Sequence, residues 1–159
     1  MTGTPPRGAP APGFTLMETM VTLVIIAILA RIAMPIYINQ VMESRRVDAK
    51  NALLDLASRE EKYYATNNSY SSNFAATGGL GYTGATSTTT TVNVGTTGSS
   101  TYQLSITLTN SNTNYSLLAT PVNAQASDAC GAYVLTDSGA QSNQTTGSSP
   151  TTITGQNCW

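Results

Sequence analysis

The 159-residue sequence has no histidine, and charged residues make up only 9% of it, against about 25% in a typical soluble domain. Without histidine there is no Ser-His-Asp triad, no Cys-His dyad and no His-ligated metal. Ser, Thr and Asp are present, but no base, metal cluster or phosphate-cradling loop accompanies them, so an enzyme is not expected and no cofactor or metal is implied. A formal net charge of −1 gives no bulk attraction to nucleic acid or anionic membranes.

Cations are missing altogether from most of the chain. All seven Lys and Arg residues fall at or before Lys62, and the 97 residues from Tyr63 to Trp159 carry two acids, Asp128 and Asp137. Polarity there comes from uncharged groups; the whole chain holds 26 Thr, 16 Ser, 12 Asn and 13 Gly. Such a surface can pack against copies of itself without like-charge repulsion. The length fits a single domain, laid out in three zones.

Residues 1–13, MTGTPPRGAPAPG, hold four of the seven prolines and no apolar run, and read as a leader. Phe14 to Ile38 follows, 25 mostly apolar residues with two charges, Glu18 and Arg31. At 1.5 Å per residue the run is about 37 Å long, enough to cross the ~30 Å core of a bilayer. A secretory signal peptide fits poorly: the preceding flank is Ala-Pro-Gly, an acid sits early in the run, and no small-x-small cleavage site follows. A plain anchor leaves Glu18 unexplained, because an ionisable group at the centre of an apolar span costs about 2.5–3.5 kcal/mol.

Beyond residue 40 the periodicity changes. Ala49, Leu53, Leu56 and then Tyr63 or Tyr64 step along one helical face, with Asp48, Asp55, Arg59 and Lys62 on the other side. Glu60 and Glu61 read as a solvated face. Asp55 and Arg59 are spaced i,i+4 in the favourable order. One continuous helix is expected from Phe14 to about Thr66, interrupted only by Pro35, which removes a hydrogen bond and loosens or kinks a turn. Residues 77–100 are Thr- and Gly-rich and read as a long surface loop with one short strand at Val92–Val94. Tyr102, Leu104, Ile106 and Leu108 alternate with polar residues as a half-buried strand. After a turn at Asn110–Asn114, Tyr115, Leu117 and Ala119 form the return strand, ended by Pro121, and Gly131–Thr136 forms a third. An antiparallel sheet packed on the amphipathic helix buries both apolar faces. Gln141–Gly155 is polar with little apolar anchorage. If the domain is exported, Cys130 and Cys158 bridge and close that stretch, a link contributing roughly 3–4 kcal/mol by loop entropy.

Gly13-Phe14-Thr15-Leu16-Met17-Glu18, followed by the apolar run, closely resembles type IV pilins. The resemblance continues through Ser44-Arg45-Arg46-x-Asp48-Ala49-Lys50, Leu53-x-x-Leu56-Ala57, Glu60-x-x-Tyr63-Tyr64, Asn68-x-Tyr70, Asp128-x-Cys130-Gly131 and Cys158-Trp159, which look like the PilE-like minor pilins. It implies an α+β type IV pilin fold: a long N-terminal helix, half transmembrane and half amphipathic, on a small antiparallel sheet with a C-terminal disulfide-closed loop. The implied organisation is a leader 1–13, a transmembrane and filament-core helix 14–40, and a head 41–159. The head comprises helix 41–66, a variable loop 67–100, the sheet 101–136 and the disulfide loop 130–158.

The resemblance also implies chemistry. Prepilin peptidase would cut between Gly13 and Phe14 and methylate the new amine of Phe14. The subunit would wait in the inner membrane with its head in the periplasm. An assembly platform and secretin machinery would then carry it, with other pilin subunits, into an extracellular pilus. Glu18 would pair with the cationic amine of a neighbouring subunit, and Pro35 would let the helix stretch in the filament. Arg31 departs from the pattern. It either snorkels to the outer interface or pairs with a carboxylate of another subunit.

The expected function is thus a structural pilus subunit serving assembly, twitching motility, adhesion or DNA uptake. Two alternatives stay open. One is a competence pilin that binds DNA, although a head with no cation beyond Lys62 makes DNA an unexpected direct ligand. The other is a type II secretion pseudopilin, whose calcium loop would need more than Asp128 and Asp137.

Overall fold

The computed structural model describes residues 13–95, 99–154 and 158–159. The expected leader therefore lies, Gly13 apart, outside the described residues. The chain divides into two compact units, with the boundary between Gln40 and Val41.

The first unit is helix α1, Leu16–Asn67, as far as Gln40. Thr15 caps it: its Oγ1 accepts the Glu18 backbone N–H at 3.2 Å, which satisfies one of the unpaired donors of the first turn. Thr-x-x-Glu is the capping-box spacing. The Thr19 and Thr22 hydroxyls bond back to the Thr15 and Thr19 carbonyls at 2.9 Å, so these polar groups are satisfied within an apolar stretch. Pro35 lies inside α1. Every residue from Gly13 to Gln40 is exposed.

The second unit begins on α1 and adds a five-stranded antiparallel sheet. Its strands are β1 (Thr91–Val94), β2 (Tyr102–Thr109), β3 (Asn114–Pro121), β4 (Ala132–Thr136) and β5 (Gln141–Gln144), in the order β1-β2-β3-β4-β5. Ala49, Leu53 and Leu56 of α1 are fully buried with Tyr102, Leu104, Leu117, Ala119 and Tyr133 of the sheet. Each fully buried Leu contributes about 2 kcal/mol. Burial alternates cleanly along β3, while in β2 it fades past Leu104, so Ile106 and Leu108 are only partly covered. The β2–β3 turn places Asn110, Ser111 and Asn112 at φ 49°, 54° and 66°, a left-handed region that short polar side chains tolerate. At the end of α1, Asn68 adopts φ 52° and its N–H bonds the Tyr64 carbonyl at 2.8 Å, which closes the helix.

Three expectations need correction. Residues 77–100 are not wholly a surface loop. Leu80, with Phe74 just before it, is buried in the core, and the segment folds on itself through Leu80 N–H to Asn73 O and Tyr82 N–H to Phe74 O. The stretch after Gln141 is polar with little apolar anchorage, as expected, but is not all loop. Gln141–Gln144 pairs with β4, and hydrogen bonds do what apolar contacts do elsewhere: Asn143 Nδ2 donates to Cys130 O at 3.0 Å, and Trp159 Nε1 to Ser142 O at 2.8 Å. Glu60 is not solvated. It continues the 49, 53, 56 stripe at the next helical step and is fully buried. Cys130 and Cys158 form the disulfide, with both residues buried.

Candidate functional site

The residues expected to drive processing and assembly lie together in the first unit. Gly13 and Phe14 precede the first helical residue, and Phe14 is 85% exposed. Glu18 occupies the third position of the first turn. Its backbone N–H serves the Thr15 cap, while its carboxylate has no hydrogen-bond or ion-pair partner among the described residues. The same holds for the Arg31 guanidinium. Large apolar side chains surround both charges, including Leu16, Met17, Met20, Val21, Val24, Ile25, Ile28, Leu29 and Ile32, each at least half exposed. The helix is long and apolar enough to cross a membrane. Chemically, residues 13–40 are an uncovered apolar rod carrying one anion and one cation.

In the head, Asp128 organises a buried polar network. Arg46 Nε and Nη2 grip both carboxylate oxygens, Nε reaching Oδ2 at 2.9 Å. The Tyr102 hydroxyl donates to Oδ2 at 3.1 Å, Gln125 Nε2 donates to it at 2.8 Å, and the Cys130 N–H donates to Oδ1 at 3.1 Å. Gln125 Nε2 also reaches Met42 O on α1 at 3.2 Å. Burial alone would raise the Asp128 carboxyl, but the hydrogen bonds from Arg46, Cys130 and Gln125 outweigh it and hold the group below the usual carboxylate range. With all these donors spent on one carboxylate, the network is a clamp between α1 and the disulfide. The sequence quoted Arg46 and Asp128 only as parts of separate motifs; their pairing across 82 positions has no local signal.

Glu60 is the opposite case. Its Oε2 accepts the Ser71 N–H at 3.0 Å, and its Oε1 has no partner. Burial pushes its carboxyl up to about 7, against the lowering effect of the Ser71 bond. Neighbouring Glu61 is exposed, and its Oε1 accepts the Tyr70 and Tyr115 hydroxyls at 3.0 and 3.3 Å. Tyr64 and Tyr70 lie 4.6 Å apart between ring centres, and Tyr70 meets Tyr115 edge-on at 4.7 Å, packing the helix end against the sheet.

Arg59 bonds Asp55 at 2.8 Å, as its spacing implied, and also the Leu80 and Gly81 carbonyls at 3.1 Å; its guanidinium lies over the Tyr82 ring. A half-open cleft of about 470 Å³ borders it, lined also by Lys62, Tyr63, Thr66 and Gly79. No group of three or more potential metal-binding side chains occurs among the described residues.

Residues 11–33 match the prokaryotic N-terminal methylation motif. Residues 35–134 match the family described as type IV minor pilin ComP, DNA uptake sequence receptor. The chain belongs to this family of type IV minor pilins. A solved type IV pilin from Shewanella oneidensis is similar, with 24% sequence identity, covering 74% of this chain and 97% of that one at a TM-score of 0.46. No curated protein matches the chain.

This minor pilin is accordingly a structural subunit of a type IV pilus, in the inner membrane before assembly and in the extracellular fibre after it. Family and fold are structural rather than enzymatic. Its partners are other pilins and the pilus machinery.

Proposed function

We propose that the pilin is cut by prepilin peptidase between Gly13 and Phe14, methylated on the Phe14 amine, held by residues 14–40 in the inner membrane, and drawn into the fibre by an assembly platform and secretin with the head 41–159 outward. The observation that carries this reading is the uncovered apolar rod: residues 13–40 are exposed throughout, and so large an apolar surface marks a membrane or partner contact. In the fibre, the Glu18 carboxylate takes the cationic amine of a neighbouring Phe14. Leaving either charge alone in an apolar core is costly. Pro35 removes one helix hydrogen bond and gives the rod a place to lengthen under load. Glu18→Ala is expected to leave the subunit in the membrane and remove it from sheared fibres. Mass spectrometry of fibre protein is expected to find methylated Phe14 as the first residue. Normal incorporation of Glu18→Ala, or fibre protein starting at Met1, contradicts the proposal.

A second reading is DNA binding, favoured by the description of the family as a DNA uptake sequence receptor. Phosphate contacts need Lys or Arg. On the head the cleft beside Arg59 and Lys62 offers two together, Arg59 only by giving up Asp55 and the Leu80 and Gly81 carbonyls, while Arg46 is committed to Asp128. Binding would be weak and strongly salt-dependent. A low-salt gel shift with residues 41–159 tests it: retarded DNA supports it, and free DNA at high protein concentration removes it.

A further inference from the structure

Arg31 has no role in the reading above. It is a cation within an apolar rod, exposed and without a partner among the described residues, and the only other charged side chain from Phe14 to Ile38 is Glu18. Seventeen residues separate Arg31 from Phe14, about 26 Å along a helix. In a bilayer with a ~30 Å core, Arg31 therefore sits near the outer face, where its long side chain reaches water. Removal from the bilayer takes that water away, so the guanidinium needs a carboxylate at the moment the rod enters the fibre. The rod itself supplies one. Glu18 and Arg31 are thirteen residues apart, about 20 Å along the axis and about 140° apart around it at 3.6 residues per turn. They cannot meet within one helix, and they face nearly opposite sides. One side of each rod thus offers a cation and the other an anion. Such a head-to-tail contact does not close on itself and propagates as an open array.

We propose that Arg31 of one copy pairs with Glu18 of a second copy of this chain, fixing a stagger of about 20 Å between adjacent rods. The inference rests on the assembly reading. Charge complementarity chooses the occupant, since a second rod brings the required carboxylate in an equally apolar setting. A carboxylate has two oxygens, so Glu18 can serve Arg31 of one neighbour and the Phe14 amine of another.

The test uses the full chain in cells that build it into fibres. Ile25→Cys and Ile38→Cys each stand seven residues beyond one of the charges, two turns on and within about 20° of the same face, with the same thirteen-residue offset. A disulfide needs Cα atoms within about 7 Å, so the pair cannot bridge within one helix. The native cysteines already bridge to each other. Oxidised fibres of the double variant are expected to give a ladder of covalent multimers on a non-reducing gel, and those of either single variant none. Arg31→Gln is expected to lower incorporation roughly tenfold, from loss of the charge-assisted bond that Arg31 makes to a Glu18 carboxylate still held by the Phe14 amine, and Arg31→Lys to restore most of it. Fibres that contain the double variant but yield no ladder overturn the inference, as does full incorporation of Arg31→Gln. Both results leave the assembly reading standing. Should Arg31 serve lipid headgroups alone, Arg31→Gln weakens membrane retention yet the ladder forms without it, which also overturns the pairing. Wild-type chain found in the membrane and never in fibres overturns both.

Discussion

Replacing Glu60 by Gln should change how the head's stability depends on pH. The carboxyl is fully buried and its Oε1 has no partner. Folding raises it from 4.5 to about 7, first through burial, partly opposed by the Ser71 N–H, and then through Glu61. A carboxyl whose value rises on folding is neutral in both states below pH 4.5. Between 4.5 and about 7 the folded head keeps a proton that the unfolded chain has lost, so stability falls as pH rises. Above about 7 both states are ionised and the full penalty stands. A shift of this size corresponds to about 3 kcal/mol, at 1.36 kcal/mol per pH unit. Gln carries no charge and removes this dependence, while its buried amide lacks a partner and costs about 1–3 kcal/mol at every pH. The variant should therefore be less stable than wild type at pH 4 and equal to it or more stable at pH 8. The difference between the two pH values, about 3 kcal/mol in favour of Gln, does not depend on the amide term. Urea denaturation of residues 41–159, which contain the whole core and the disulfide, measures it at both pH values. A stability difference between Gln and wild type that stays constant from pH 4 to 8 refutes the reasoning.

Other elements give further expectations. Asp128→Asn strands the Arg46 guanidinium and should cost about 3 kcal/mol at neutral pH. Because folding lowers the Asp128 carboxyl, the wild-type advantage is present above its unfolded value and disappears as pH falls through the folded one; urea titrations at neutral and acid pH measure both parts. Replacing Cys130 and Cys158 together by Ser removes a link across 28 positions and should cost roughly 3–4 kcal/mol, with hydrogen exchange rising first at Gln141–Gln144. Gly131→Ala places a methyl group against the Gln144 carbonyl at φ 58°, so it should cost about 1–2 kcal/mol from the backbone alone and expose the β4–β5 amides to exchange.

What the sequence made legible depended on how local the signal was. The 49, 53, 56 stripe and the alternation of Tyr115, Leu117 and Ala119 are periodic within a few residues, and burial follows them. At Glu60 residue type and position point opposite ways, and position decides. The stripe continues through residue 60, and the core accepts the carboxyl there with one hydrogen bond and a raised proton affinity. β5 was invisible because Gln-Ser-Asn-Gln has no apolar alternation, and its anchors, Cys130 O and Trp159 Nε1, are distant in sequence. The Asp128 clamp needs Arg46, Tyr102 and Gln125 from three separate segments. The Thr15 cap, by contrast, is written within four residues as Thr-x-x-Glu.

That cap sharpens the case for Glu18. A first-turn acid is a common helix device, stabilised by the N-terminal dipole, and local capping could account for it entirely. Yet the bond that forms runs from the Glu18 backbone to the Thr15 hydroxyl; any residue at position 18 supplies that N–H. The carboxylate is left over. In the head, the acidic side chains of Asp55, Glu61 and Asp128 each accept a hydrogen bond. On the rod, the two opposite charges accept and donate none among the described residues, although an unmatched charge in apolar surroundings is expensive. A folded monomer that leaves two opposite charges open in the most apolar stretch of its chain is incomplete as a particle, and the missing partner is another rod.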